Sequence, residues 1–307
     1  MNLIGTSTEL EEIVAHLKSE FEMKDLGKTR YCLNLKIEYC SDGILVHQLN
    51  YTQKVLRNFN EDKTKPSSTP IVVRTLDVKR DPFHPNEDDE EIFELKVPYV
   101  SAIGALLYLA QCTRPDISFA VNLLARYINA LTRRHWNGVK DIFCYLKGTT
   151  DLGLFYTHKS SRVATPYGPQ IDYRLVGYAD AGYLSDPYRA RSQTGYVFTI
   201  EDTTISWRST KQTLVTTSSN HAEILTLNKA SRECFCPREV MVHIRSTRGL
   251  TSVVDFPMTI FEDKAACIEQ LKKRYIKGDN TKHIAPKFFY SHQQQQHQNI
   301  EVKQIRS

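Results

Sequence analysis

Apolar residues recur on one face from Leu10 through Ile13, Val14, Leu17 and Phe21, and the spacing predicts a first helix opened by a capping box of Thr8 and Glu11. Gly27 lets the chain turn. Tyr31, Leu33, Leu35, Ile37 and Tyr39 then alternate with mostly polar neighbours, which predicts a strand, and Asp42-Gly43 predicts a hairpin turn into Ile44-Leu45-Val46. Asn50 suits the cap of a short helix carrying Val55, Leu56 and Phe59. Between Lys63 and Pro98 the pattern breaks. Pro66, Pro70, Pro82 and Pro85 and the acidic run Glu87-Asp88-Asp89-Glu90-Glu91 predict a long exposed connection that is a poor nucleic-acid contact. Three helical stretches follow, Tyr99–Cys112, Asp116–Tyr127 and His135–Lys147, with Pro115 suited to a helix start and Gly148 to a stop.

The texture changes after the stretch from Lys159 to Asp172, where Gly168 lies between Pro166 and Pro169. Strands are predicted at Leu175–Ala181, Thr194–Ile200 and Thr203–Trp207, then a long helix from about Asn220, a strand at Met258–Glu262, a helix from Lys264 and a last strand at Ile300–Ile305. Strands paired first as a meander and then alternating with helices indicate a mixed α/β sheet. Gln293–Gln296 reads as a loop, and the flanking His292 and His297 are poorly spaced for a metal.

With 41% apolar residues among 307, the chain can bury a core, which argues against global disorder. The net charge of +5 permits a polyanionic partner without demanding one. Seven scattered cysteines, with Cys234-x-Cys236 the one close pair, argue against a zinc site and for free thiols in a reducing compartment. The N-terminus lacks the features of a signal peptide, and the longest apolar run, Ala102 to Ala110, falls short of the ~20 residues that span a bilayer. A soluble cytoplasmic or nuclear protein without a membrane partner is expected.

Three acids carry the candidate chemistry. Asp180 interrupts the apolar run Leu175-Val176-Gly177-Tyr178-Ala179-Asp180-Ala181, where a carboxylate is costly to desolvate without a partner. Glu223 lies at the start of a helical pattern, and Asp263 ends the strand that contains Ile260 and Phe261. Strand-end and helix carboxylates far apart in sequence suit a hard divalent metal, which takes oxygen ligands. Glu223 also suits a capping box with Asn220, and Asp263 an N-cap for the helix from Lys264; Asp180 has no such routine duty. Asp186 reads as a turn residue before Pro187.

The stretches LVGYADAGYLSDP, RSQTGYVFTI, ISWRSTKQ, TSSNHAE, EDKAACI and GDNTKHIAPKFFY, in that order, resemble the ribonuclease H domain of plant copia-type retrotransposon polyproteins. Upstream, VPYVSAIGALLYLAQCTRPDISFAVNLLARY and RHWNGVKDIFCYLKGT resemble the final part of the reverse transcriptase of the same family. The resemblance covers essentially the whole chain. It implies a thumb-like, mostly helical reverse-transcriptase segment with a β-hairpin at 1–158, including the exposed connection 63–98. A linker at 159–171 would follow, then an RNase H-like mixed sheet with helices at 172–307.

The resemblance also implies that the chain begins just after the polymerase's paired aspartates, so that no primer extension is expected. It would stop before a final helix carrying a fourth ribonuclease H carboxylate. The implied activity is cleavage of RNA in an RNA–DNA hybrid, impaired by that loss, with the remainder of the polyprotein as a partner in the intact element. Asp180, Glu223 and Asp263 would then be the catalytic ligands of two Mg²⁺ or Mn²⁺ ions, Asp180 bridging them. The helix start at Ser219 and Asn220, with its free backbone N–H groups, suits a phosphate, and Arg208, Lys211 and Lys282 are further candidate nucleic-acid contacts. Where the family usually carries an apolar helix containing Trp-Leu-Arg, this chain has Phe235-Cys236-Pro237-Arg238, and a proline inside a helix costs ~3 kcal/mol or more and kinks or ends it. The alternative is a non-catalytic nucleic-acid-binding or interaction protein derived from such an element.

Overall fold

In the computed structural model, which describes residues 3, 5–72, 81–85, 98–157, 162–165, 168–171, 175–200, 203–247, 257–273 and 284–306, Thr6 and not Thr8 opens the first helix. The Thr6 hydroxyl accepts from the Glu9 N–H and the Glu9 carboxylate accepts from the Thr6 N–H. Thr6 and Glu9 share the T-x-x-E spacing of Thr8 and Glu11, and the earlier pair lengthens helix α1 (Ser7–Glu20) at its start. The strand predicted from Tyr31 to Tyr39 is two strands, β1 (Tyr31–Cys32) and β2 (Leu35–Tyr39). Between them Leu33 and Asn34 take φ of 48° and 59°. A two-residue hairpin turn needs that left-handed backbone at both central positions, and apolar alternation does not register it.

Strand β3 (Gly43–His47) and helix α2 (Leu49–Asn58) follow. The helix is capped by Gln48 rather than Asn50, and Gln48 is tied down by a 2.9 Å hydrogen bond from the Thr113 hydroxyl. Helices α3 (Tyr99–Cys112), α4 (Ser118–Leu124) and α5 (Arg133–Gly148) enclose the first core, which includes Leu106, Leu109, Val121, Leu124, Ile142 and Phe143. Because α3 buries most of its surface, its sequence is apolar nearly all round. Strand β4 (Gly153–Thr157) completes an antiparallel sheet in the order β1-β2-β3-β4. In the stretch expected as a linker, β5 (Arg162–Thr165) and β6 (Gly168–Ile171) pair as a hairpin.

The second core lies against a five-stranded sheet. Strands β7 (Leu175–Asp186), β8 (Arg191–Ile200) and β9 (Thr203–Val215) form an antiparallel meander longer than the periodicity predicts. Helix α6 (Ser219–Glu233) crosses β7 and β8, and α7 (Phe235–Thr247) follows with Pro237 in its first turn, so the proline separates two helices. Strand β10 (Met258–Glu262) joins the other edge of β7 in parallel, α8 (Ala265–Lys273) and α9 (Ala285–Gln296) follow, and β11 (Ile300–Gln304) pairs parallel with β10. The order β11-β10-β7-β8-β9 is the mixed α/β sheet that the sequence predicts.

Gln293–Gln296 and His292 are not loop. They end α9, whose buried face runs through Phe288, Ser291 and His292, and His292 Nδ1 lies 2.8 Å from the Leu271 carbonyl. Glutamine is a good helix former, so a helix anchored by its packed first turns extends through the tract.

The two cores meet along β8 and β9. Trp207 donates to the Ala110 carbonyl at 2.7 Å, Gln193 donates to Asn122 at 3.2 Å, and Arg126 stands 3.6 Å from Asp186. At the centre of the sheet, Gly177 admits the ring of Phe198; a Cβ there would come within 2.6 Å of it. Gly177→Ala is therefore expected to destabilise the fold by about 1–3 kcal/mol through overpacking, measurable as a lowered urea midpoint with an unchanged slope.

Candidate metal centre

Side chains of β7 alternate, with Leu175, Ala179 and Ala181 facing the core and Tyr178 and Asp180 the open face. Asp180 stands opposite Gly195 on β8, so the facing position on that strand carries no side chain. Glu223 reaches the same place from α6. Ser218, whose hydroxyl accepts from the His221 N–H at 3.2 Å, caps that helix, so a capping box between Asn220 and Glu223 is not what holds the acid. Glu223 is instead buried, and among the described residues its Oε2 has no hydrogen-bond partner. Asp263 follows β10 directly and is exposed. The first N–H after it, that of Lys264, goes to Glu262 Oε1 at 3.2 Å.

Asp180, Glu223 and Asp263 each bring one carboxylate oxygen to within 4.8 Å of the other two. An all-oxygen donor set with an unpartnered buried atom suits Mg²⁺ or Mn²⁺ rather than a soft metal. The electrostatics point the same way. Burial, then the charges of Glu262, Asp180 and Asp263, push Glu223 from its ordinary 4.5 up to about 9. Burial raises Asp180 as well, with Asp263 adding to it, and burial carries Glu262 up to about 8. Each of these shifts reports negative charge held out of water with too little positive charge to balance it.

The candidate nucleic-acid contacts are placed less uniformly. Ser219 is the first residue of α6, and Asn220 donates to Gln270 at 2.6 Å, joining α6 to α8. Arg208 is exposed on β9, register-paired with the core-facing Tyr196 and so on the helix-bearing side of the sheet, away from the face that Asp180 occupies. Lys211 is engaged in an ion pair with Asp186 at 3.8 Å. Lys282 lies outside the described residues.

Sequence reasoning missed two features. Asp186 is no mere turn residue: it is buried between Arg126 and Lys211, because β7 runs on past Ala181 and carries it to the junction. Glu262 is fully buried beside the three acids, and counting by twos from Met258 and Ile260 along β10 would have placed it on the inner face.

A five-stranded mixed sheet bearing carboxylates on its central strand, a crossing helix and the end of a neighbouring strand defines an RNase H-like domain. Over most of its length the chain is similar to plant retrotransposon Pol polyproteins, of which it spans less than a quarter. It is 30% identical over 308 residues to the retrovirus-related Pol polyprotein from transposon TNT 1-94 of Nicotiana tabacum, matching 99% of this chain and spanning 22% of that polyprotein's length. It is also 35% identical over 153 residues to the secreted RxLR effector protein 161 of Plasmopara viticola, covering 50% of this chain and 98% of the effector. LC11-RNase H1, solved in complex with an RNA/DNA hybrid, superposes with a TM-score of 0.31 and 18% identity, over 43% of this chain and 86% of that one. No protein-family model matches the chain.

The raised values set the pH dependence. Glu223 binds a proton in the folded state up to about pH 9 but in the unfolded state only to about its ordinary 4.5. Its contribution to stability is full below that lower value and is lost as pH rises through the upper one. In EDTA, the melting temperature of the parent should fall more steeply between pH 5 and 9 than that of Glu223→Gln, which has no proton to lose. Thermal melts across that range check it, and saturating Mg²⁺ should flatten the parent's slope.

Proposed function

We propose that residues 172–307 act as a metal-dependent nuclease on the RNA strand of an RNA–DNA hybrid, with Asp180, Glu223 and Asp263 holding the metal. The observation that supports this most directly is the convergence of the three carboxylates from β7, α6 and the end of β10. When bound, a pair of Mg²⁺ or Mn²⁺ ions supplies an activated water and neutralises the leaving oxygen. The chain's own residues do the rest. Exposed Asp180 and Asp263 form an open rim that a polymeric substrate can reach, and buried Glu223 forms the dry floor that strengthens charge interactions. The N–H groups at Ser219 and Asn220, with Lys282 as a further contact, are assigned to the phosphate backbone; Arg208, on the opposite face of the sheet, is not. Residues 1–158 act as a reverse-transcriptase, thumb-like segment against which this domain is seated.

A second reading, a non-catalytic interaction protein derived from the element, draws on the similarity to the effector, of which this chain covers nearly the whole length.

Cleavage of a labelled hybrid in Mg²⁺ and in Mn²⁺ separates the two. The nuclease reading expects metal-dependent cleavage that Asp180→Asn lowers at least ~100-fold, with the fold retained by circular dichroism. Equal behaviour of parent and variant, in cleavage and in metal-induced stabilisation, would transfer the assignment to the interaction reading.

A further inference from the structure

Glu262 is the residue that neither packing nor capping accounts for. It continues the inward face of β10 after Met258 and Ile260, where an apolar side chain would suit the core, and it has no exposure to solvent. Its backbone leaves it little freedom: Glu262 registers with Gln304 of β11, and its carbonyl accepts from the Ile305 N–H at 3.0 Å. One carboxylate oxygen, Oε1, accepts from the Lys264 N–H. The other, Oε2, is buried and, among the described residues, has no hydrogen-bond partner, like Oε2 of Glu223. Among the described residues neither acid makes an ion pair.

Two enclosed carboxyl groups, each with an unpartnered oxygen and, among the described residues, no ion-paired cation, carry a cost that either a proton or a bound cation relieves. Glu262 lies beside the cluster, its carboxyl within hydrogen-bonding reach of that of Asp263, although it is not among the three acids whose oxygens come within 4.8 Å of one another. The charge of Glu262 is the largest charge acting on Glu223, and Asp263 and Asp180 act on Glu262 in turn. The thiol of Cys267, fully buried beneath them, feels both glutamates. The cluster therefore has an exposed rim, Asp180 and Asp263, and an enclosed wall made of Glu223 and Glu262.

We propose that Glu262 is a fourth carboxylate of the metal centre, using Oε2 to take the divalent ion or a water bound to it from the buried side. The inference rests on the metal-centre reading above. The competing possibility is a purely structural acid, neutral at working pH and paired with Glu223 or Asp263, which needs no metal.

Mn²⁺ binding by titration calorimetry, with melting curves in EDTA and in Mn²⁺, distinguishes the two roles for the full chain and for Glu262→Gln, Glu262→Asp and Asp180→Asn. A ligand role predicts that Glu262→Gln lowers Mn²⁺ affinity roughly 10- to 100-fold and shrinks the Mn²⁺-induced rise in melting temperature. In EDTA the same variant should melt at or above the parent temperature, since a neutral amide of the same shape removes repulsion. Glu262→Asp keeps the charge but withdraws it by one methylene, and it should bind Mn²⁺ several-fold more weakly; it carries the test if the glutamine variant does not fold. Parent-like Mn²⁺ affinity in both Glu262 variants, or in the aspartate alone where the glutamine does not fold, overturns the inference. If Asp180→Asn loses Mn²⁺ while the Glu262 variants keep it, this inference alone falls. If Asp180→Asn also binds like the parent, the metal-centre reading falls with it.

Discussion

The position of α6 on the sheet is set by a small buried polar knot, and the rest of the site depends on it. The Gln212 side-chain amide donates to the Ala222 carbonyl at 3.0 Å and lies 3.2 Å from both the Thr194 and Thr226 hydroxyls, which are themselves 3.2 Å apart. All of these groups are enclosed, so each missing bond would leave a desolvated polar atom behind. A slide or rotation of the helix would break several of the bonds together. Because Ala222 precedes Glu223, the same knot fixes where the glutamate enters the carboxylate cluster.

That cluster is a local conflict which the surrounding fold tolerates. Apolar packing by Ala179, Ile224, Leu227, Ile260 and Ile268 holds acids close together that repel one another. The burial that strengthens a metal's hold also raises the cost of the metal-free state. Functional sites commonly carry such strain against a well-packed background. Here the rim acids keep water and the wall acids do not, so protonation of the wall and binding of a divalent cation are alternative ways of relieving one repulsion.

The junction between the two cores uses charge differently. Asp186 accepts balance from both Arg126 and Lys211, and Gln193 bridges the same corner by bonding Asn122 and Arg126. A lysine used in this way is less available to a nucleic acid. Near the same corner, Leu107, Ala110, Asn122, Trp207 and Arg208 help to line a cleft of about 350 Å³, and the indole is held there by its bond to the Ala110 carbonyl. The ring therefore belongs to the junction, in keeping with an aromatic on the sheet rather than a platform for bases.

Much of the architecture was legible in local pattern. Helix α3 and strand β10 lie where the periodicity puts them, since each is a continuous run packed on one core. The triad was legible because a carboxylate inside an apolar strand seldom serves packing or capping, and the order of the motifs supplied its partners. Local pattern failed where a second element decided the outcome. The turn at Leu33-Asn34 depends on backbone φ, the glutamine tract is helical because the turns before it are packed, and β7 extends to Asp186 because Arg126 lies across the junction to receive it. As a position in the chain, Glu262 differs from Glu223 only by its neighbours. The sequence by itself determined which residues carry charge into apolar elements. Tertiary structure decided that Glu262 lies buried beside the three acids, because the energy of a carboxylate depends on the groups within a few ångströms of it, whichever part of the chain supplies them.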